Sequence, residues 1–484
     1  MNREKVLKSK AVETITQFSD LEVKRFRKFL KSEYFNSRHK QVILLDAISN
    51  GSFSNNNEGV MAFPLFQFLF PNREYDDSKL RLEISYLNRS LETFLAIENL
   101  LHDKPKRSIL LMNEFMKRNR SEAFKKQLRI ANQLNDETGL RNEDFFQNRF
   151  LVENALFEFK GSKQERNPEV NLIELIGSLD SYFIIKKLKL CCIHLARLKQ
   201  SEQERIPRLV SNIAKTVEHG NFLENPAIAL YYHSMMALKN SNEKQFFIKL
   251  KEQIKANIHL FNIDEAQLFY NWARHFCIQN INQGNAEYLN EALELYEDEI
   301  ERNIFFKNGE LSPFSLKNIV SIALRLGKFD YVEKFIQNHA AKISEPYRIP
   351  ATKYFLTQLN FYKKNYQAVL TGGIDEIKFQ DVFFACDARV LILRTNYELK
   401  NFADVVELCD RDMRYIKKRK FAKSQIRNYM NFMRFLRRLA NLHYKSQKVI
   451  EKQGRALIDE IRAVQNVADM NWLISKLHLL LEKK

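Results

Sequence analysis

The chain has 484 residues, with 77 Lys and Arg against 59 Asp and Glu for a formal net charge of +18, 45% hydrophobic residues including 38 Phe, and only 12 Gly and 9 Pro. Glycine and proline fall below the roughly 7% and 5% of average usage, so a turn-poor, helical chain with ample core material is expected and extended disorder is not. The length fits about three domains or one extended repeat array. Residues 1–20 lack the uninterrupted apolar core of a secretory signal. The longest apolar stretch, residues 63–70, is far shorter than the ~20 residues of a membrane helix, so a soluble, cytoplasmic protein with no membrane partner is expected. Cysteines at 191, 192, 277, 386 and 409 form no C-x-x-C pair. An odd count with a vicinal pair suits buried apolar residues rather than a disulfide framework.

In chain order, Ser19 followed by Glu22 is a capping box, and the helix it opens is predicted to run through Phe26 and Phe29 to about Tyr34. Residues 42–48 are apolar, and 51–59, rich in Ser and Asn, read as a surface loop. Asp76 and Asp77 open a helix to about His102 that places Leu80, Ile84, Leu87, Leu91, Phe94 and Leu95 on one face. Residues 103–107, with Pro105, form a boundary, and further breaks are predicted near 118–121, 138–142 and 161–168. These breaks divide the chain into an N-terminal helical module (1–106), helical hairpins (107–206), helical repeats (207–443) and C-terminal capping helices (444–484).

Beyond Pro207, aromatic residues recur at similar points of successive hairpins: Phe246, Tyr288, Phe329, Tyr366 and Phe402, separated by 42, 41, 37 and 36 residues. Residues 326–332, 363–369 and 399–405 each place a turn before an aromatic, with a valine three residues later. Leu316, Ile319, Val320, Ala323 and Leu324 line one helix, and Val332, Phe335, Ile336 and His339 the next. One such hairpin cannot bury both stripes, whereas stacked neighbours can. The turn Leu326-Gly327-Lys328-Phe329 resembles that of the tetratricopeptide-repeat superfamily, over about residues 227–418. The resemblance implies an all-α, helical-hairpin α-solenoid offering a binding surface. The period varies, the helix-packing alanine stands only at Ala368, and the repeat-final proline is missing. Residues 26–36 and 277–284 also resemble a bacterial family of helical proteins, a resemblance that carries no activity.

The glycine positions leave no window for G-x-G-x-x-G, a P-loop or G-x-S-x-G. H-E-x-x-H and paired C-x-x-C are also absent. A non-enzymatic protein without cofactor, metal or small-molecule substrate is therefore expected. Cys191 and His194 lie one helical turn apart, but four zinc ligands are not at hand and core packing is the simpler reading. Glu291, Glu294, Glu297, Asp298, Glu299 and Glu301 lack calcium-loop spacing and read as a solvated face or as salt bridges between repeats.

The strongest partner signal is residues 411–438, where Arg411, Arg414, Lys417, Lys418, Arg419, Lys420, Lys423, Arg427, Arg434, Arg437 and Arg438 face a single acidic residue, Asp412. Crowded like charges repel, and an anionic partner relieves that repulsion and releases counterions. Tyr415, Phe421, Tyr429 and Phe432 interleave with the cations in a manner suited to stacking on bases. Two functions of different class follow. One is an adaptor or scaffold holding a protein or peptide along Asn271, Arg274, Asn318, Arg325, Arg389, Arg394 and Asn396 on the leading helices. The other is RNA or DNA binding through 411–438. Helical-repeat readers of nucleic acid spread cations over many repeats, whereas here they concentrate near one end, which favours the adaptor.

Overall fold

The computed structural model describes residues 9–51, 53–55, 59–162, 171–198, 208–306, 309–374, 377, 381–418, 423–464 and 466–482, without the side chains of 54, 55, 59, 162, 208–211 and 423–425. Two compact units divide the chain, Met1–Phe183 and Ile184–Lys484.

In the first unit, α1 (Lys10–Ile15), α2 (Asp20–Leu30), α3 (Lys40–Ser49), α4 (Ala62–Leu69) and α5 (Asp77–His102) enclose one core that includes Phe26, Leu45, Phe66 and Leu87. The Glu22 N–H donates to Ser19 Oγ at 3.4 Å and the Ser19 N–H to Glu22 Oε2 at 2.8 Å, completing the expected capping box. Helix α2 stops at Leu30, short of Tyr34, because the Asn36 side chain takes the Leu30 carbonyl at 2.8 Å and Tyr34 projects into solvent. On α5 the predicted inward stripe is buried except for Leu95, which is exposed because Phe94 takes that helical step. A two-residue antiparallel pair, Ser54–Asn55 with Gly59–Val60, lies inside the expected loop.

A second, separate core lies among α6 (Lys104–Lys117), α7 (Ser121–Glu137) and α8 (Glu143–Ser162), where the Phe124 and Phe159 rings stack at 3.9 Å. Asp103 starts α6 by accepting the Lys106 N–H at 3.0 Å, with Pro105 in the first turn, where its missing N–H costs nothing. The predicted boundary at 103–107 thus falls between two cores. The division between the units falls within α9 (Leu172–Arg197).

The second unit continues with α10 (Arg208–His219), α11 (Pro226–Lys239), α12 (Lys244–Asn257), α13 (Ile263–Asn282), α14 (Tyr288–Glu301), α15 (Pro313–Arg325) and α16 (Phe329–His339). It then runs through α17 (Glu345–Tyr362), α18 (Tyr366–Thr371), α19 (Val382–Glu398), α20 (Phe402–Lys418), α21 (Lys423–Leu442), α22 (Gln447–Ala463) and α23 (Met470–Leu481). From α11 onward each helix packs on the next, and α11 also meets α13, α15 meets α17, α17 meets α19, α19 meets α21 and α21 meets α23. The apolar stripes read for α15 and α16 are buried, apart from His339 at the edge. Helices α19 to α23 share one core that includes Leu393, Cys409, Phe432, Leu436, Leu457 and Leu477. Residues after 444 therefore complete the core of the hairpins before them.

The recurring turns have a common backbone. Gly284 (φ 102°), Gly327 (φ 73°), Lys364 (φ 62°) and Lys400 (φ 64°) take the left-handed conformation that ends a helix. After each, an N–H reaches back five residues: Asn285 to Asn280 O at 3.0 Å, Lys328 to Ala323 O at 3.0 Å, Asn365 to Asn360 O at 2.8 Å and Asn401 to Asn396 O at 2.9 Å. Phe329, Tyr366 and Phe402 open the next helix two residues after the left-handed residue, and Tyr288 four residues after it. In the turn before Phe246 no described residue has positive φ, so that aromatic follows a different connection.

All five cysteines are free and buried. Burial pushes the thiols of Cys277 and Cys386 up to about 12 and raises those of Cys191, Cys192 and Cys409 as well. No helix among the described residues is long and apolar enough to cross a membrane.

Candidate partner-binding groove

The basic segment lies on α20 and α21. Val405, Cys409, Asp412 and Ile416 turn α20 inward, and Tyr429, Phe432, Met433, Leu436, Leu439 and Ala440 do the same for α21. Both stripes follow the 3.6-residue period, so the cations between them are left outside: Arg411, Arg414, Lys417, Lys418, Arg427, Arg434, Arg437 and Arg438 are exposed. Arg419 and Lys420 lie outside the described residues, as does Phe421, and so does the side chain of Lys423. Between the two helices runs a groove of about 790 Å³ whose floor holds the half-buried side chains of Met413, Ile426 and Met430. Lys417, Arg427, Asn431, Arg434 and Arg437 form its walls. The aliphatic floor was not singled out from the sequence, although Met413 and Lys417, and Ile426, Met430 and Arg434, stand at four-residue steps.

Some of this charge is neutralised by residues from outside the segment. Arg437 pairs with Asp410 at 2.8 Å, and Arg438 grips Glu460 with two guanidinium nitrogens, one at 2.8 Å. Arg414 Nε donates to the Asp410 carbonyl at 3.2 Å. Asp412 is buried, accepts from Arg411 Nε at 3.0 Å and lies 3.5 Å from Arg389 Nη1. Among the described residues, Lys417, Lys418, Arg427 and Arg434 have no acidic partner.

The interleaved aromatics among the described residues, Tyr415, Tyr429 and Phe432, face elsewhere. The Arg389 guanidinium lies 3.8 Å above the Tyr415 ring. Phe432 is fully buried. Tyr429 donates its hydroxyl to Asp387 Oδ1 at 2.8 Å, and Lys317 of α15 takes the other carboxylate oxygen. Burial pushes the Asp387 carboxyl up, while Lys317 and Tyr429 pull it back. This network joins α15, α19 and α21.

The seven repeat-surface candidates divide. Asn271, Asn318 and Arg325 are exposed. Arg274 is buried, pairs with the equally buried Glu299 and lies 4.3 Å over the Tyr296 ring. Asn396 is buried and returns its amide to the Ile392 carbonyl at 3.1 Å. Arg389 covers Tyr415, and Arg394 pairs with Asp469 at 2.9 Å and lies 4.4 Å over Phe361. Those four hold the unit together rather than presenting donors along its surface.

Of the acidic cluster on α14, Glu291, Glu294, Asp298 and Glu299 are likewise internalised or paired, while Glu301 is exposed. Lys251 bridges Glu291 and Glu294, the latter at 3.0 Å. Asp298 accepts from Tyr270 and from Arg302 at 2.8 Å, and Glu299 holds Arg274. Cys191 and Cys192 are packed in the core, and among the described residues no three His, Cys, Asp or Glu side chains group as metal ligands. No protein-family model, no curated protein and no solved structure matches the chain.

Proposed function

We propose that the protein is a non-enzymatic adaptor or scaffold, an α-solenoid of stacked helical hairpins similar to tetratricopeptide repeats, that binds a protein or peptide partner. One observation carries the reading: the open groove between α20 and α21 sets Lys417, Arg427 and Arg434, which have no acidic partner among the described residues, above an aliphatic floor. An apolar floor beneath charged walls matches protein side chains, which bring both kinds of surface together. The left-handed turns and the contacts between alternate helices support the repeat arrangement. The second reading, RNA or DNA binding, is favoured by the same cations but finds no free ring among Tyr415, Tyr429 and Phe432 on which a base would stack. The test is to purify the full chain at low salt from its own cells, with and without nuclease. Stoichiometric protein partners that survive nuclease support the adaptor, and a nucleic-acid absorbance that nuclease removes supports the second reading.

A further inference from the structure

We infer that the groove receives an amphipathic α-helix bearing acidic residues, laid between α20 and α21 as a third helix; this rests on the adaptor reading and names the class of its partner. Charge complementarity fixes the sign of the occupant. Lys417 on one wall and Arg427 and Arg434 on the other present three cations with no acidic partner among the described residues, and like charges facing one gap gain most from an anion between them.

The floor fixes its second property. Met413, Ile426 and Met430 are only half-buried, so apolar surface stays open to water until side chains of an occupant cover it. Methionine adapts its shape to such a guest.

The walls fix the conformation. Both are α-helices whose backbone groups are already bonded within each helix, so no strand edge is on offer and recognition passes through side chains. The lining residues of α21 stand at helical steps from Ile426 to Arg437, about 17 Å of helix axis at 1.5 Å per residue, which matches three turns of an occupant. A helix with leucines at i, i+3, i+4 and i+7 meets the floor with one face and places flanking glutamates against the walls.

The experiment uses the full chain and fluorescence anisotropy with four labelled probes. These are an 18-residue Glu/Leu amphipathic helix, the same composition interrupted by two prolines, its Lys-for-Glu counterpart, and a 20-nucleotide single-stranded RNA. Binding of the acidic helix at least tenfold tighter than the other three is expected. The triple variant Lys417→Glu/Arg427→Glu/Arg434→Glu is expected to reduce it at least tenfold, and Met430→Asp several-fold, with thermal melts showing that each variant folds. Equal binding of the proline-interrupted peptide overturns the helix while the adaptor reading stands. Preference for the Lys peptide, or no peptide binding, overturns the inference, and the purification above then decides the adaptor reading by itself. RNA binding tighter than any peptide, and lost in the triple variant, overturns both.

Discussion

Two grooves of the second unit hold charge in opposite ways. Between α12 and α14, a groove of about 420 Å³ lined by Phe247, Ile248 and Leu295 carries charges of both signs, and Lys251 ties Glu291 to Glu294 across it. Between α20 and α21 the walls carry one sign, and among the described residues only Arg437 of the wall cations finds a carboxylate, Asp410. Both pairs of helices are amphipathic and both are rich in charge. A crowded charged face is therefore informative only once its counterions have been located, because a face that neutralises itself needs no partner.

The largest effect that sharpens this contrast belongs to the paired side. Arg274→Met leaves Glu299 buried without its cation, and breaking such a pair costs about 3–5 kcal/mol. Urea denaturation at pH 7 measures it, and adding Glu299→Leu is expected to recover most of the loss. Next is His233 of α11, whose buried imidazole is held down at about 4 by desolvation and then by Lys249. Its folded pKa lies below the unfolded value near 6.5, so the unfolded state takes up the proton first. Stability is full above about pH 6.5 and falls as pH drops toward 4, by up to about 3 kcal/mol. Melting curves from pH 7 to pH 4 should show the fall, and His233→Leu should flatten it.

On the open side, the triple reversal Lys417→Glu/Arg427→Glu/Arg434→Glu should shift stability by no more than about 0.5 kcal/mol per site. It should cost acidic-helix binding at least about 1.4 kcal/mol, a factor of ten. A large loss of stability with binding intact would erase the distinction between the two grooves. Tyr429→Phe removes the hydroxyl that joins the groove helix to Asp387 and should destabilise by about 1 kcal/mol in the same urea assay. The smallest effect lies in the turns. The connection from α13 uses Gly284 where the connection into α20 uses Lys400, so Lys400→Gly should raise stability by up to ~1 kcal/mol by removing a Cβ from a left-handed backbone.

Helices and their ends were largely legible because their causes are local. The Ser19 and Glu22 cap, the Pro105 start, the stripes of α15 and α16 and the turns before Phe329, Tyr366 and Phe402 each depend on residues within one or two helical turns. The cations of the candidate groove were legible in the sequence, but their pairing was not. Arg274 and Asn396 read as outward polar residues, yet Glu299 lies twenty-five positions from Arg274 and a short-range period cannot announce it. Glu460 lies twenty-two residues beyond Arg438 for the same reason, so the segment carries less free charge than its composition implied. Tyr429 faces inward because Asp387, forty-two residues earlier, waits there for its hydroxyl.

The five sequestered cysteines give the molecule a chemically quiet exterior. With every native thiol enclosed and kept protonated, an alkylating dye finds little to modify at neutral pH. A single thiol introduced at the groove wall, as in Asn431→Cys, would carry a fluorophore to that position without removal of any resident sulfur. The chain is thereby suited to testing, through one site-specific label, whether an added acidic helix settles there.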